Sequence, residues 1–163
     1  MPTTFVKGDL FEDAKDAPPP RAFAFAADTS GAMDKGIAVA FGKRWPALAE
    51  AFRARAAGGK LQLGDVFTWR EGDVVVYALA VQQGEKKAKV STLARAVEAM
   101  AARAASDGIT RIALPRIGAG KGGIDRLRVK RILTEAGDKT PVTLVVFEQF
   151  IRAGAGAGAG EDG

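Results

Sequence analysis

The chain has no cysteine and no histidine among its 163 residues. The first absence excludes disulfides, thiolate nucleophiles and cysteine-based metal sites. The second excludes an imidazole general base, a Ser-His-Asp triad and a histidine-ligated zinc. Chemistry is left to carboxylates, lysines, amides, backbone groups and bound water. No apolar run reaches the roughly 18 residues of a membrane-spanning helix. The N-terminus carries Lys7 and Asp9 and has no apolar stretch of the kind a secretory signal needs. A cytoplasmic protein with no membrane partner is expected.

The residues that are present suit one folded domain. The composition is 47% hydrophobic and 26% charged, enough for one substantial core and too short for two large ones. The net charge of +5 suits an anionic partner, although solubility alone would also account for it.

Hydrophobic periodicity predicts strands at 3–7, 22–27, 65–70, 74–81, 109–114 and 140–147. Helices are expected from 36 to 43, from Pro46 to Ala57, from 90 to 106 and from 126 to 136. Glu71-Gly72-Asp73 reads as a hairpin turn, and Gly58-Gly59 as a helix stop. This alternation favours a three-layer α/β/α domain with a central mixed β-sheet over residues 1–152. Residues 153–163, an Ala-Gly repeat ending in Glu-Asp-Gly, read as a flexible tail.

Two strand-to-helix connections carry the chemistry. The second in the chain runs from Pro115 through Arg116, Ile117, Gly118, Ala119, Gly120, Lys121, Gly122, Gly123, Ile124 and Asp125. Glycines admit positive φ and close approach of a ligand to the amides. A helix start behind them adds unpaired N–H groups and a positive dipole end. Together these suggest a phosphate cradle. The G-x-G-x-x-G match alone is weak, and a Walker A loop fails because Pro115 and Gly122 replace required residues. A plain flexible turn is the alternative.

The first connection contains Asp28, Thr29, Ser30, Met33, Asp34, Lys35, Gly36 and Ile37. It also follows an apolar strand and enters a helix. Loops at the carboxyl ends of neighbouring strands converge on one crevice. Two phosphates with a sugar between them would suit such a pair of loops. Asp28, Thr29 and Ser30 are equally good helix-capping residues, and Met33 and Ile37 read first as core residues.

Gly8-Asp9-Leu10, then Met33-x-Lys35-Gly36-Ile37-Ala38, then the segment from Pro115 to Ile124 resemble macrodomains in order and spacing. The resemblance covers roughly residues 3–150. It is nearest to the macrodomains similar to the terminal ADP-ribose protein glycohydrolase, a group that includes antitoxins removing ADP-ribose from DNA. It implies a mixed sheet between helices, ADP-ribose as ligand or product, and no cofactor or metal. By that resemblance Asp9 would bond the adenine amino group and Leu10 would supply a backbone contact. Lys35, Gly36 and Ile37 would line the diphosphate on one side, with Ile117 to Gly123 on the other. Asp28 would lie near the distal ribose, and Phe147 against adenine.

The chain also departs from the family pattern. The glycohydrolase's lysine nucleophile falls at Val81 or Gln82, its loop aspartate at Gly122, and the usual aromatic at Arg126. A covalent lysine route is therefore not expected. Water attack is, with Asp28 as first candidate to orient the water, Asp125 as second, and Gln82 as a positioning residue. Asp125 is also well placed to cap the following helix. Lys86 and Lys87 read as a solvated loop face.

The resemblance thus implies a hydrolase removing ADP-ribose from protein carboxylates and from DNA as a further target. A non-catalytic ADP-ribose reader is the alternative. A third reading, a nucleic-acid-binding module, rests on Arg126, Arg128, Lys130 and Arg131, with Lys86, Lys87 and Lys89 as a second patch.

Overall fold

A computed structural model of the chain describes residues 3–117 and 123–150. Six strands form one sheet: β1 (Thr4–Gly8), β2 (Arg21–Asp28), β3 (Val66–Glu71), β4 (Val74–Gln82), β5 (Arg111–Pro115) and β6 (Thr143–Phe150). Their order is β1-β6-β5-β2-β4-β3. All neighbours run parallel except β3 against β4, which pair antiparallel. Four helices complete the domain: α1 (Ile37–Arg44), α2 (Pro46–Ala56), α3 (Val90–Ser106) and α4 (Arg126–Asp138).

Apolar alternation within β2 and β4 assigns the layers. Ala22 and Ala24, with Val75, Tyr77, Leu79 and Val81, pack with α3 and α4. Phe23, Phe25 and Ala27, with Val76, Ala78 and Ala80, pack with α1 and α2. Strands covered on both faces are apolar throughout, and this explains the continuous run in β2. The α1–α2 side is strongly aromatic. Phe41 lies 4.6 Å from Phe25, 5.0 Å from Phe11 and 5.8 Å from Trp45, centroid to centroid.

Several boundaries shift by one to three residues, β5 for example starting at Arg111 and not 109, and one element was not expected. The last strand begins at Thr143, not 140, because residues 139–142 form a turn in which Thr140 Oγ1 accepts the Val142 N–H. Leu10–Glu12 forms a single 3-10 turn that periodicity does not signal. Asp9 caps it by accepting the Phe11 N–H at 2.9 Å. The turn buries Leu10 and Phe11, and Asp13 behind it pairs with both Nε and Nη2 of Arg111. At the start of β2, Arg21 donates to the Phe11 and Asp13 carbonyls.

On the other face, Tyr77 donates to Asp107 at 2.8 Å. Burial first, then that bond, pushes its hydroxyl well above the usual tyrosine range, so it stays a donor. The Ala-Gly tail expected at 153–163 lies outside the described residues. Among the described residues no helix is long and apolar enough to cross a membrane.

Phe41 is the residue through which α1 is anchored. Phe41→Ala is expected to cost about 3–5 kcal/mol, a large share of a typical stability of about 5–15 kcal/mol. Urea denaturation should show a lower midpoint with unchanged slope. An unchanged midpoint would mean α1 is held some other way.

Candidate ligand-binding cleft

Parallel strands β2, β4 and β5 end at the same edge of the sheet. A cleft of about 970 Å³ opens there, with Asp28, Gln82 and Arg116 lining it. One wall is the segment from Asp28 to Ala38, and a second is Gln83 and Gly84. Ala56, Gly59, Leu61, Gln62 and Leu63 also line it.

Helix α1 enters this cleft end-on. Gly36 takes φ 59 and ψ −146 at its N-cap, a left-handed geometry that strains any residue with a Cβ. No side chain caps the helix, and its first turn holds no acidic residue. Gly36, Ile37 and Ala38 line the cleft, so first-turn N–H groups and the positive dipole end face it. Lys35 adds a cation on one side and Arg116 on another. Such a site accepts a phosphate or diphosphate.

Helix α4 is built the opposite way. Asp125 caps it by accepting the Leu127 N–H at 2.8 Å, so a carboxylate already serves that dipole. Of the helices without a side-chain cap, α1 is the one whose first residues line the cleft, whereas the helix behind the glycine-rich loop is capped.

Asp28 ties two loops together. Its Oδ1 accepts the Ser30 N–H and its Oδ2 accepts the Gly84 N–H, each at 2.9 Å. A register shift between Ala27 and Asp28 sets Asp28 opposite Gln82, and the Thr29 N–H donates to the Gln82 carbonyl. The Gln82 side-chain amide donates to the Gly84 and Lys86 carbonyls. Lys35 and Glu85 then form an exposed ion pair of 3.3 Å between the two loops. Exposed pairs contribute little and exchange readily.

Gly31 keeps the first loop flush on α2. A Cβ there would lie 2.9 Å from the Ala56 Cβ and 3.1 Å from the Arg53 Cα.

The cleft gathers Asp28, Thr29, Ser30, Lys35, Gly36, Ile37, Gln82 and Arg116, and also Asp34. Leu10 and Phe147 are buried in the α1-side core, and Met33 packs against it. The Phe147 ring lies 3.7 Å from where a Gly8 Cβ would stand, next to Asp9. Ile117 and Ile124 are buried in the opposite core, so they can offer a ligand only backbone. The Lys87 side chain lies along Gly123. Gly118, Ala119, Gly120, Lys121 and Gly122 lie outside the described residues.

Sequence reading missed the wall at 56–63. It treats Gly58-Gly59 only as a helix stop. The signal available was the alternation Leu61-Gln62-Leu63 after it, too short to be read as more than a loop.

Asp28→Ala should free both tethered amides. Faster hydrogen exchange is expected at Ser30 and Gly84, with a global stability loss of no more than about 3 kcal/mol. Unchanged protection at both amides would show that the loops are held elsewhere.

Known proteins resemble this chain in sequence and fold. The Macro domain family model matches residues 25–133. The human ADP-ribose glycohydrolase OARD1 is 27% identical over 147 residues, spanning 88% of this chain and 90% of the relative. The DNA ADP-ribosyl glycohydrolase of Thermus aquaticus is 27% identical over 137 residues, spanning 81% of this chain and 37% of the relative. Among solved structures, the macrodomain of Thermus aquaticus DarG superposes with a TM-score of 0.78 at 24% identity. That match covers 90% of this chain and 97% of the other. A macrodomain protein from Streptomyces coelicolor gives 0.74 at 26% identity, covering 90% and 98%. The chain belongs to the Macro domain family.

Proposed function

We propose that this macrodomain binds ADP-ribose in the cleft at the ends of β2, β4 and β5 and hydrolyses its bond to modified protein carboxylates. The observation that carries the reading is the uncapped N-terminus of α1 opening into a cleft flanked by Lys35 and Arg116. Similarity to OARD1 and to the Thermus aquaticus enzyme, named for ADP-ribose and DNA ADP-ribosyl hydrolysis respectively, supports the chemistry.

The diphosphate would sit on the α1 amides, with the distal ribose toward Asp28. Asp28 uses one lone pair of each carboxylate oxygen on loop amides. A carboxylate oxygen has a second, which can orient a water toward the anomeric carbon. Attack there forms the new C–O bond while the bond to the acceptor breaks, and the water's proton passes to the Asp28 carboxylate and on to solvent. Cleft binding supplies positioning, and the amides supply electrostatic stabilisation.

Leaving-group chemistry ranks the linkages. A carboxylate departs unaided as an anion, with an ordinary pKa of about 4. A nucleobase nitrogen departs best with a proton, and the chain has no histidine to give one. Carboxylate-linked ADP-ribose is therefore the preferred substrate, and DNA-linked ADP-ribose the slower one.

The family's lysine position has no nucleophile here. Val81 is buried in the core, and the Gln82 amide is bonded to two loop carbonyls. This observation also favours the second reading, a reader that binds ADP-ribose without cleaving it.

The test uses protein carrying carboxylate-linked ADP-ribose. Free ADP-ribose should appear, and borohydride should trap no lysine adduct. ADP-ribose affinity should be near micromolar, about −8 kcal/mol. Asp28→Ala should slow release by about 100-fold or more and weaken binding much less. Binding without release would select the reader; a trapped adduct would overturn the water mechanism.

A further inference from the structure

We propose that a second cavity beside the cleft receives an apolar side chain from an acidic protein segment, the segment that carries the ADP-ribosylated carboxylate. This deepens the hydrolase reading and rests on it for the identity of the modified group. The cavity, about 290 Å³, lies between α4 and strands β1 and β6. Its floor is apolar, built from Phe5, Val129, Leu133 and Val146. Leu127 forms the lip and is 76% exposed, a large apolar side chain left in water.

Charge surrounds this apolar floor. Arg116, Arg126 and Lys130 stand at the cavity against Glu148, the one anion of the described lining. The excess of cations selects an acidic partner. Glu148 leaves an acceptor for a peptide N–H. Arg116 lines both this cavity and the cleft. A side chain seated in one therefore lies beside a group bound in the other.

Nucleic acid would also answer to the charge, but the floor argues against it. Bases bind such surfaces by stacking on aromatic faces. Phe5 is the aromatic residue of the described lining, and Lys130 Nζ sits 4.7 Å from its ring centroid, covering that face. The described lining offers no amide or hydroxyl side chain to read a base edge. An aliphatic side chain flanked by carboxylates needs neither. Its apolar end fills the floor while its neighbours pair with the rim.

The test is fluorescence polarisation of a labelled peptide of alternating Glu and Leu with the full chain at low salt. The wild type should bind it. The double variant Arg126→Glu with Lys130→Glu should bind at least about tenfold more weakly. Circular dichroism should show that variant folded, and calorimetry should show unchanged ADP-ribose affinity, since neither residue lines the cleft. Replacing Leu by Ser in the peptide should weaken binding to the wild type. A Lys and Leu peptide should regain binding to the double variant. The proposal fails if the Glu and Leu peptide does not bind, if either change leaves its affinity intact, or if a single-stranded oligonucleotide of equal charge binds more tightly through Arg126 and Lys130. If the wild type binds the peptide but not ADP-ribose, the hydrolase reading falls and the acidic-segment site stands.

Discussion

The two loops that Asp28 joins at the cleft depend on the parallel pairing of β2 with β4. The pair is matched from Arg21 opposite Val74 to Asp28 opposite Gln82, and both of its faces are covered by helices. Burial fixes the register, because a one-residue slip would turn each apolar set to the wrong layer. The register in turn sets Asp28 beside Gln82, where one carboxylate can hold the Ser30 and Gly84 amides together. The site's geometry is thus a consequence of core packing at the level of single residues.

The same packing delivers α1. Phe41 fixes the helix against Phe25, Phe11 and Trp45, and Gly36 lets the chain enter it at an angle no other residue takes without strain. What results is a helix terminus with no cap. Four orphan N–H groups at a helix start need partners, and at α4 a carboxylate answers part of that need. At α1 no side chain answers it. The proposed place for the diphosphate at α1 rests on this contrast with α4 and on Gly36, Ile37 and Ala38 lining the cleft.

Much of this was legible in the sequence. The six strands and four helices follow from apolar periodicity, and both-face burial of β2 from its unbroken apolar run. Asp28, Lys35 and Gly36 come to one site by their place after an apolar strand, and Gln82 by the family resemblance. The 3-10 turn at Leu10–Glu12 was not legible, because it depends on Asp9 capping and on tertiary contacts of Asp13 with Arg111. The wall at Leu61–Leu63 was missed because a short loop has no period to read. The dual bonding of Asp28 was invisible as well: its partner Gly84 is 56 residues away, and only the β2–β4 register brings them together.

The most direct test of the account is the response of individual backbone amides to ADP-ribose, followed by nuclear magnetic resonance. The account predicts that the largest shifts among the amides of α1 and α4 fall on Gly36, Ile37 and Ala38, at the open end of α1. Shifts centred on the capped first turn of α4 instead, or no shifts at saturating ligand, would contradict it.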